Sequence, residues 1–272
     1  MNKLLNKFGY RLAHFLSQSD EEQESVSTCS REELEAALKA GDILLVEGTS
    51  RISMAIKYIT QSTWSHAALY TGYSKINSEK SSQEPELIEA DITDGVQAVP
   101  LSRYCHLHTR ICRPVGLSDD DIQKVINFMR DKIGYKYDLK NIIDLARYLI
   151  QSPPVPRKHR RKLLALGSGD PTKAICSSLI AQAYQLVQYP ILPVFDVDKE
   201  DSQAVKKSQE EILHIRHHSL FAPRDFDVSP YFKIIKPSIV NGFDPHKLTW
   251  ASSEQVSQRH ISSSSAKTES DS

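Results

Sequence analysis

Apolar positions recur along this chain at helical spacing, then at strand spacing, then at helical spacing again, and each change of period marks an element. Residues 1–16 put Leu4, Leu5, Phe8, Leu12, Phe15 and Leu16 near one side of a helix, with Lys3, Lys7 and Arg11 off it. That is the pattern of an amphipathic basic helix, which either packs on a domain or subunit or lies on a membrane surface. Residues 17–30 are polar and acidic and read as a linker. Ser30-Arg31-Glu32-Glu33 is a capping box, in which hydroxyl and carboxylate each satisfy a free backbone N–H. The helix it opens is predicted to reach Ala40 and to stop at Gly41. Residues 42–46 form a buried strand, 50–58 a short helix and 65–70 a second strand, followed by a polar insertion over 74–85.

Strands over 86–90 and 95–99 follow, and 108–114 is expected to be the last strand of this sheet. Ser118 caps a helix that turns Ile122, Val125, Ile126, Met129 and Ile133 toward the core and ends at Gly134. A further helix is predicted over 138–150. The run 152–162 then changes abruptly to proline and basic residues and must begin as a loop. A helix over 172–187 carries Cys176 in its first turns, the chain after Tyr189-Pro190 is irregular and polar to about His218, and 231–235 reads as a closing strand. From residue 252 the chain is serine-rich and charged, the composition of a disordered tail. The expected organisation is a helix and linker over 1–29, one domain over 30–240 and a mostly disordered tail over 241–272.

The chain has 272 residues, 40% apolar and 25% charged, which are globular values. Its 34 basic residues balance 34 acidic ones, so no global field points to nucleic acid. Four cysteines are too sparse for a disulfide scaffold, and a reducing compartment fits best. No stretch approaches the roughly 20 apolar residues of a membrane-spanning helix. The first residues interleave charge with apolar side chains, unlike a signal peptide, and Cys29 lacks the apolar lead-in of a lipoprotein site. The expectation is a cytoplasmic protein, with the N-terminal helix as its means of meeting a membrane surface.

Two separated segments carry candidate chemistry, Trp64-Ser65-His66-Ala67 and Ile175-Cys176-Ser177-Ser178. A thiol is nucleophilic as thiolate, which needs a base or cation beside it, and histidine serves near neutral pH. Cys176 shares a helical face with Leu179, Ile180, Ala183 and Tyr184, so packing alone also accounts for it. Near a helix N-terminus, though, partial positive charge favours thiolate, and free backbone N–H groups suit an oxyanion. His66 lies in an apolar strand, where a histidine is more often a hydrogen-bonded core residue than a base. Glu89, between Ile88 and Ala90, is costly on a central strand unless paired, whereas Glu86 and Asp91 sit at strand ends. Cys105, His106, His108 and Cys112 invite a metal reading, but Arg110 on the face of His108 and Cys112 opposes it, and no zinc is expected. The exposed pair His217-His218 and the basic run 157–162 lack further signal, with no aromatic residues interleaved for base stacking.

In order along the chain stand Gly41-Asp42-Ile43, Ser65-His66-Ala67, Ile88-Glu89-Ala90 with Gly95-Val96, Gly134-Tyr135-Lys136-Tyr137-Asp138, and Cys176-Ser177-Ser178-Leu179. This series resembles the motifs of the permuted NlpC-type papain-like cysteine hydrolases, and within them the YiiX-like branch. The resemblance spans roughly residues 41–236. It implies an α+β, circularly permuted papain-like fold with an antiparallel sheet or barrel packed on helices. It also implies Cys176 as nucleophile, His66 as base and Glu89 as the residue that orients the imidazole, with no cofactor or metal. The implied reaction is hydrolysis of an amide or ester through an acyl-enzyme. Related permuted enzymes include acyltransferases of the lecithin retinol type, so a peptide substrate and a lipid-like acyl substrate both stay open. A non-catalytic lipid- or peptide-binding module is the alternative from another class. The insertion at 74–85, the basic loop and the segment 196–218 are additions to a compact member of that family, and such loops decide what enters a site.

Overall fold

The capping box at Ser30 works as the sequence dictates: Ser30 Oγ accepts from the Glu33 N–H, and the Glu33 carboxylate accepts from the Ser30 N–H at 2.9 Å. The computed structural model describes residues 18, 27, 29–73, 84–91, 93–136, 175–192, 221–244 and 246. The predicted N-terminal helix, the helix over 138–150, the basic loop, His217-His218, the segment 196–218, the serine-rich tail and most of the insertion at 74–85 lie outside these residues.

Helix α1 spans Arg31–Ala37, three residues short of the predicted end. Its stop is made by side chains arriving from elsewhere. The Ala37 carbonyl accepts from Arg113 Nη2 at 2.6 Å, and the Lys39 N–H donates to Asp42 Oδ2 at 2.7 Å. Leu38 therefore turns extended, and Gly41, at φ 88°, completes the reversal. Strand β1 (Ile43–Val46) follows, then α2 (Arg51–Thr60) capped by Ser50, and β2 (His66–Tyr73). Strands β3 (Pro85–Asp91) and β4 (Gly95–Pro100) form a hairpin closed by Asp91, which accepts from the Thr93 and Asp94 N–H groups. A 3-10 turn at Leu101–Arg103 leads to β5 (Thr109–Pro114) and α3 (Asp119–Asp131). Helices α4 (Ile175–Leu186) and α5 (Pro223–Asp227) precede β6 (Phe232–Ile235).

The six strands make one antiparallel sheet in the order β4-β3-β2-β1-β5-β6. The fold is α+β, as the motif series implies. One sequence expectation is corrected: β5 is not the last strand of the sheet, because β6 pairs with it from Ile111↔Ile235 to Pro114↔Phe232. Four residues of closing strand carry too short a periodicity to reveal their partner.

Central strand β1 is buried throughout because both faces of the sheet are covered. Ile43, Leu45, Ala67, Leu69, Ile88 and Cys112 face helices α3 and α4 through Val125, Met129, Ile180 and Tyr184. Leu44, Val46, Ala68, Leu87 and Ile111 face α1 and the 3-10 turn through Leu34, Ala37, Leu101 and Tyr104. This explains why β1 reads as a continuous apolar run instead of an alternating one. In α3 the buried face is Val125, Ile126 and Met129; Ile133, predicted to share it, lies beyond the helix and is 40% exposed. Tyr184 ties α4 to the start of the sheet, its hydroxyl donating to the Gly41 carbonyl at 2.5 Å. All of this belongs to the first of two units, residues 1–237; the second, 238–272, contains a turn closed by the Gly242 N–H on Ile239 O at 3.2 Å.

Asp42, 1% exposed, is held by a two-pronged contact from Arg113, Nε to Oδ1 at 2.8 Å and Nη2 to Oδ2 at 2.6 Å. Removing one member of such a pair strands the other charge away from water. Arg113→Met is expected to lower unfolding free energy by about 3 kcal/mol. Urea denaturation measures this, and adding Asp42→Asn should restore part of the loss.

Candidate active site

Strand β2 starts at His66, and the chain before it is pinned. Ser65 Oγ accepts from the Gly48 N–H at 2.9 Å and donates to Val46 O at 3.4 Å. Gly48 admits no side chain, because a Cβ would lie 2.3 Å from Ser53 Oγ. His66 and Glu89 lie on the same face of neighbouring strands, since the register Leu69↔Ile88 sets Glu89 beside Ala68. The imidazole Nε2 meets Glu89 Oε2 at 2.7 Å.

Glu89 is 1% exposed and satisfied from four directions. Besides His66, Oε2 accepts from the Tyr104 hydroxyl, while Oε1 accepts from Gln97 Nε2 at 3.1 Å and lies 3.4 Å from Arg103 Nη1. Burial opposes ionisation, but the hydrogen bond and charge of His66, the Tyr104 hydroxyl and the Arg103 charge outweigh it and hold the carboxyl at about 2. Tyr104 is driven the other way, chiefly by its own burial and then by the Glu89 charge, so it remains a donor.

Cys176 comes from the opposite layer, near the start of α4, and is 5% exposed. With Nε2 turned to Glu89, Nδ1 is the nitrogen left to face the thiol, which lies within hydrogen-bonding reach of His66. A second donor comes from the backbone. Val46 and Leu45 of β1 face His66 and Ala67, but pairing of β2 with β3 begins only at Leu69↔Ile88. The Ala67 N–H is thus left outside the second ladder, and it helps to lower the Cys176 pKa. The Ser177 hydroxyl is 3.8 Å from the sulfur.

The electrostatics of the pair follow from this geometry. Burial raises the Cys176 pKa, but the charge and hydrogen bond of His66, the Ala67 N–H and Ser177 bring it below the ordinary thiol value. Burial likewise disfavours imidazolium, yet Cys176 and then Glu89 raise His66 well above the ordinary histidine value. Both shifts favour the same state, thiolate beside imidazolium. The other thiols move the opposite way. Burial raises Cys29, Cys105 and Cys112, with the Glu33 charge adding to the effect at Cys29.

The remaining sequence candidates have other partners. Glu86 accepts from the Thr71 hydroxyl at 2.9 Å and lies 3.5 Å from Arg130 Nη2. Asp91 closes the hairpin turn. His108 Nδ1 meets Glu47 Oε2 at 3.0 Å, the Cys105 thiol donates to Leu101 O at 3.3 Å, and Cys112 is buried in the core. Gln97, Tyr104, Arg103 and the Ala67 N–H were not singled out from sequence. Gln97 was legible, because folding the 89–97 hairpin about its turn sets it opposite Glu89; Tyr104 carries no such signal.

Residues 37–148 match the family of permuted papain-like amidase enzymes, YaeF/YiiX, C92 family. The matched stretch holds His66 and Glu89 and ends before Cys176. The family resemblance drawn from the motifs is borne out there, and the match supports a cysteine hydrolase. The crystal structure of the metalloprotein yiiX from Escherichia coli O157:H7 is similar at 18% identity and a TM-score of 0.42, covering 74% of this chain and 97% of that one. No curated protein matches the chain.

Because Glu89 is held at about 2, below the ordinary carboxyl value of 4.5, its pairing stabilises the fold at neutral pH and is lost as pH falls through that interval. The stability difference between the native chain and Glu89→Gln should therefore shrink between pH 4.5 and about 2. Chemical denaturation at a series of pH values tests this; a difference independent of pH would contradict it.

Proposed function

Starting from a chain whose residues 37–148 match the permuted papain-like amidases, we propose that it is a cysteine hydrolase using Cys176, His66 and Glu89 on an amide or ester. The observation that carries the reading is the chain of contacts from the Cys176 thiol through His66 to a buried, ionised Glu89. Among the four cysteines, Cys176 alone has its pKa lowered.

In this reading the Cys176 thiolate attacks the carbonyl carbon and a C–S bond forms. Backbone N–H groups at the start of α4 hold the negative oxygen of the tetrahedral intermediate. Imidazolium at His66 gives its Nδ1 proton to the departing amine or alkoxide as the C–N or C–O bond breaks. His66, now neutral, takes a proton from water as that water attacks the thioester, and thiolate leaves to restore the pair. Glu89 accepts the Nε2–H throughout, which fixes the ring and stabilises its charged form. An alcohol or amine replacing water in the second half would make the same site an acyltransferase.

Iodoacetamide labelling with mass spectrometry is the first test. At neutral pH Cys176 should label faster than Cys29 or Cys105, and His66→Ala should slow it by about tenfold or more. Equal rates would sink the dyad. Incubation with a panel of acyl esters and peptides should then leave an acyl mass on Cys176, and Cys176→Ser should lower turnover by at least about a thousandfold.

Activity should follow a bell in pH. The acid limb appears as the Cys176 thiolate gains a proton, the alkaline limb as His66 loses one. Because Glu89 raises the imidazolium pKa, Glu89→Gln should move the alkaline limb to lower pH. An unmoved alkaline limb would remove Glu89 from the orienting role.

A further inference from the structure

Beside the start of β2 lies a cleft of about 570 Å³ whose lining is dominated by charge. It is bounded by the end of α2, residues 62–64, the end of β1, the start of β5 and α5. Its carboxylates are fully engaged. Glu47 accepts from Lys57 Nζ at 3.2 Å through Oε1 and meets His108 Nδ1 at 3.0 Å through Oε2. Asp227 accepts from Arg110 Nη1 at 2.6 Å through Oδ1 and from the Trp64 indole N–H at 3.1 Å through Oδ2.

The cations outnumber them. Lys57, Arg110 and Arg224 stand against two carboxylates, an excess of one positive charge. Arg224 is the unbalanced member. Its Nη1 donates to the Thr60 carbonyl at 3.0 Å, and among the described residues no carboxylate pairs with it. The wall is rigid. The Arg110 guanidinium sits 4.9 Å from the Trp64 ring centroid and the His108 ring 5.0 Å from it. With Trp64 flanked by these two groups, the cleft offers a ligand charge and hydrogen bonds more than an aromatic face to stack on.

We infer that this cleft binds an oxyanion group of the substrate, a carboxylate or a phosphate, with Arg224 as its principal ligand. The inference rests on the cysteine-hydrolase reading for its role, because two of the cleft's lining residues, Trp64 and Glu47, are near neighbours of His66 in the chain and across the strands. Trp64 and Ser65 lead directly into His66, and Glu47 follows Val46, whose cross-strand partner is His66. The cleft thus lies on the β1 and β5 side of His66, while Glu89 lies on the β3 side. A guanidinium fork with free N–H groups suits the paired oxygens of a carboxylate or phosphate. The substrate class so defined is an acyl compound that also carries an anionic group.

The test uses Trp64 as reporter. The chain has two tryptophans, so the full-length protein with Trp250→Phe leaves Trp64 as the sole indole. Inorganic phosphate and succinate are titrated separately at constant ionic strength while its fluorescence is followed. A saturable change is expected with at least one anion, and which one responds assigns phosphate or carboxylate. Arg224→Gln should weaken that binding by about tenfold or more, the loss of one charge-assisted contact. Arg224→Lys, which keeps the charge, should bind more tightly than Arg224→Gln. No saturable response to either anion would overturn the inference, as would unchanged binding in Arg224→Gln. Because binding is read without turnover, a protein whose Cys176 fails to label can still bind the anion. The two readings therefore fail separately.

Discussion

A carboxylate buried in the middle of an antiparallel sheet is the constraint around which this molecule is arranged. Glu89 has almost no contact with water, and an unpaired charge in such a position would be expelled from the fold or protonated. Its environment supplies a donor from each available direction: an imidazole from β2, an amide from β4, a phenol from the stretch after the 3-10 turn, and a guanidinium from that turn. Each donor is delivered by a different element, so the β3–β4 hairpin, the turn at 101–103 and the start of β2 must all be in register for the charge to be tolerated. The same requirement fixes the ring of His66. With Nε2 committed, the other nitrogen has one direction left, and that direction is the thiol. The polarity of the site is thus inherited from a packing problem in the sheet.

A second buried carboxylate plays a comparable part in the architecture without any link to chemistry. Asp42 joins the end of α1 to β5 through Arg113, and the same guanidinium takes the last helical carbonyl. This shortens α1 relative to what its composition allows. The helix propensity of Leu38 to Ala40 is overridden by a side chain that arrives from some 70 residues downstream, a tertiary effect of the kind local propensity cannot anticipate.

Much of the sheet was legible because its strands are bounded by glycine, proline and polar runs, and because the caps at Ser30 and Ser118 announce their helices. What escaped was the partner of β6. The short segment 232–235 says that it is a strand but nothing about which edge it joins. Ile133 was misread for a related reason: helical periodicity continues past the point where the backbone ends the helix. At the site, the residue types were readable and their surroundings were not. Glu89 drew notice because an acid between apolar neighbours needs a partner. The identity of those partners depended on register and on the fold of a turn. The Ala67 N–H is the extreme case, since a backbone donor has no residue type, and its availability follows from where two strands stop pairing.

The hydrogen bond from Tyr184 to Gly41 links the helix of Cys176 to a turn 143 residues earlier in the chain. His66 and Cys176 therefore belong to segments of the polypeptide that leave the ribosome well apart in time. The docked α4 is what brings Cys176 beside His66, and the contacts made there lower the pKa of its thiol. The lowered pKa of this one thiol is thus a property of the folded chain, set by groups distant in sequence.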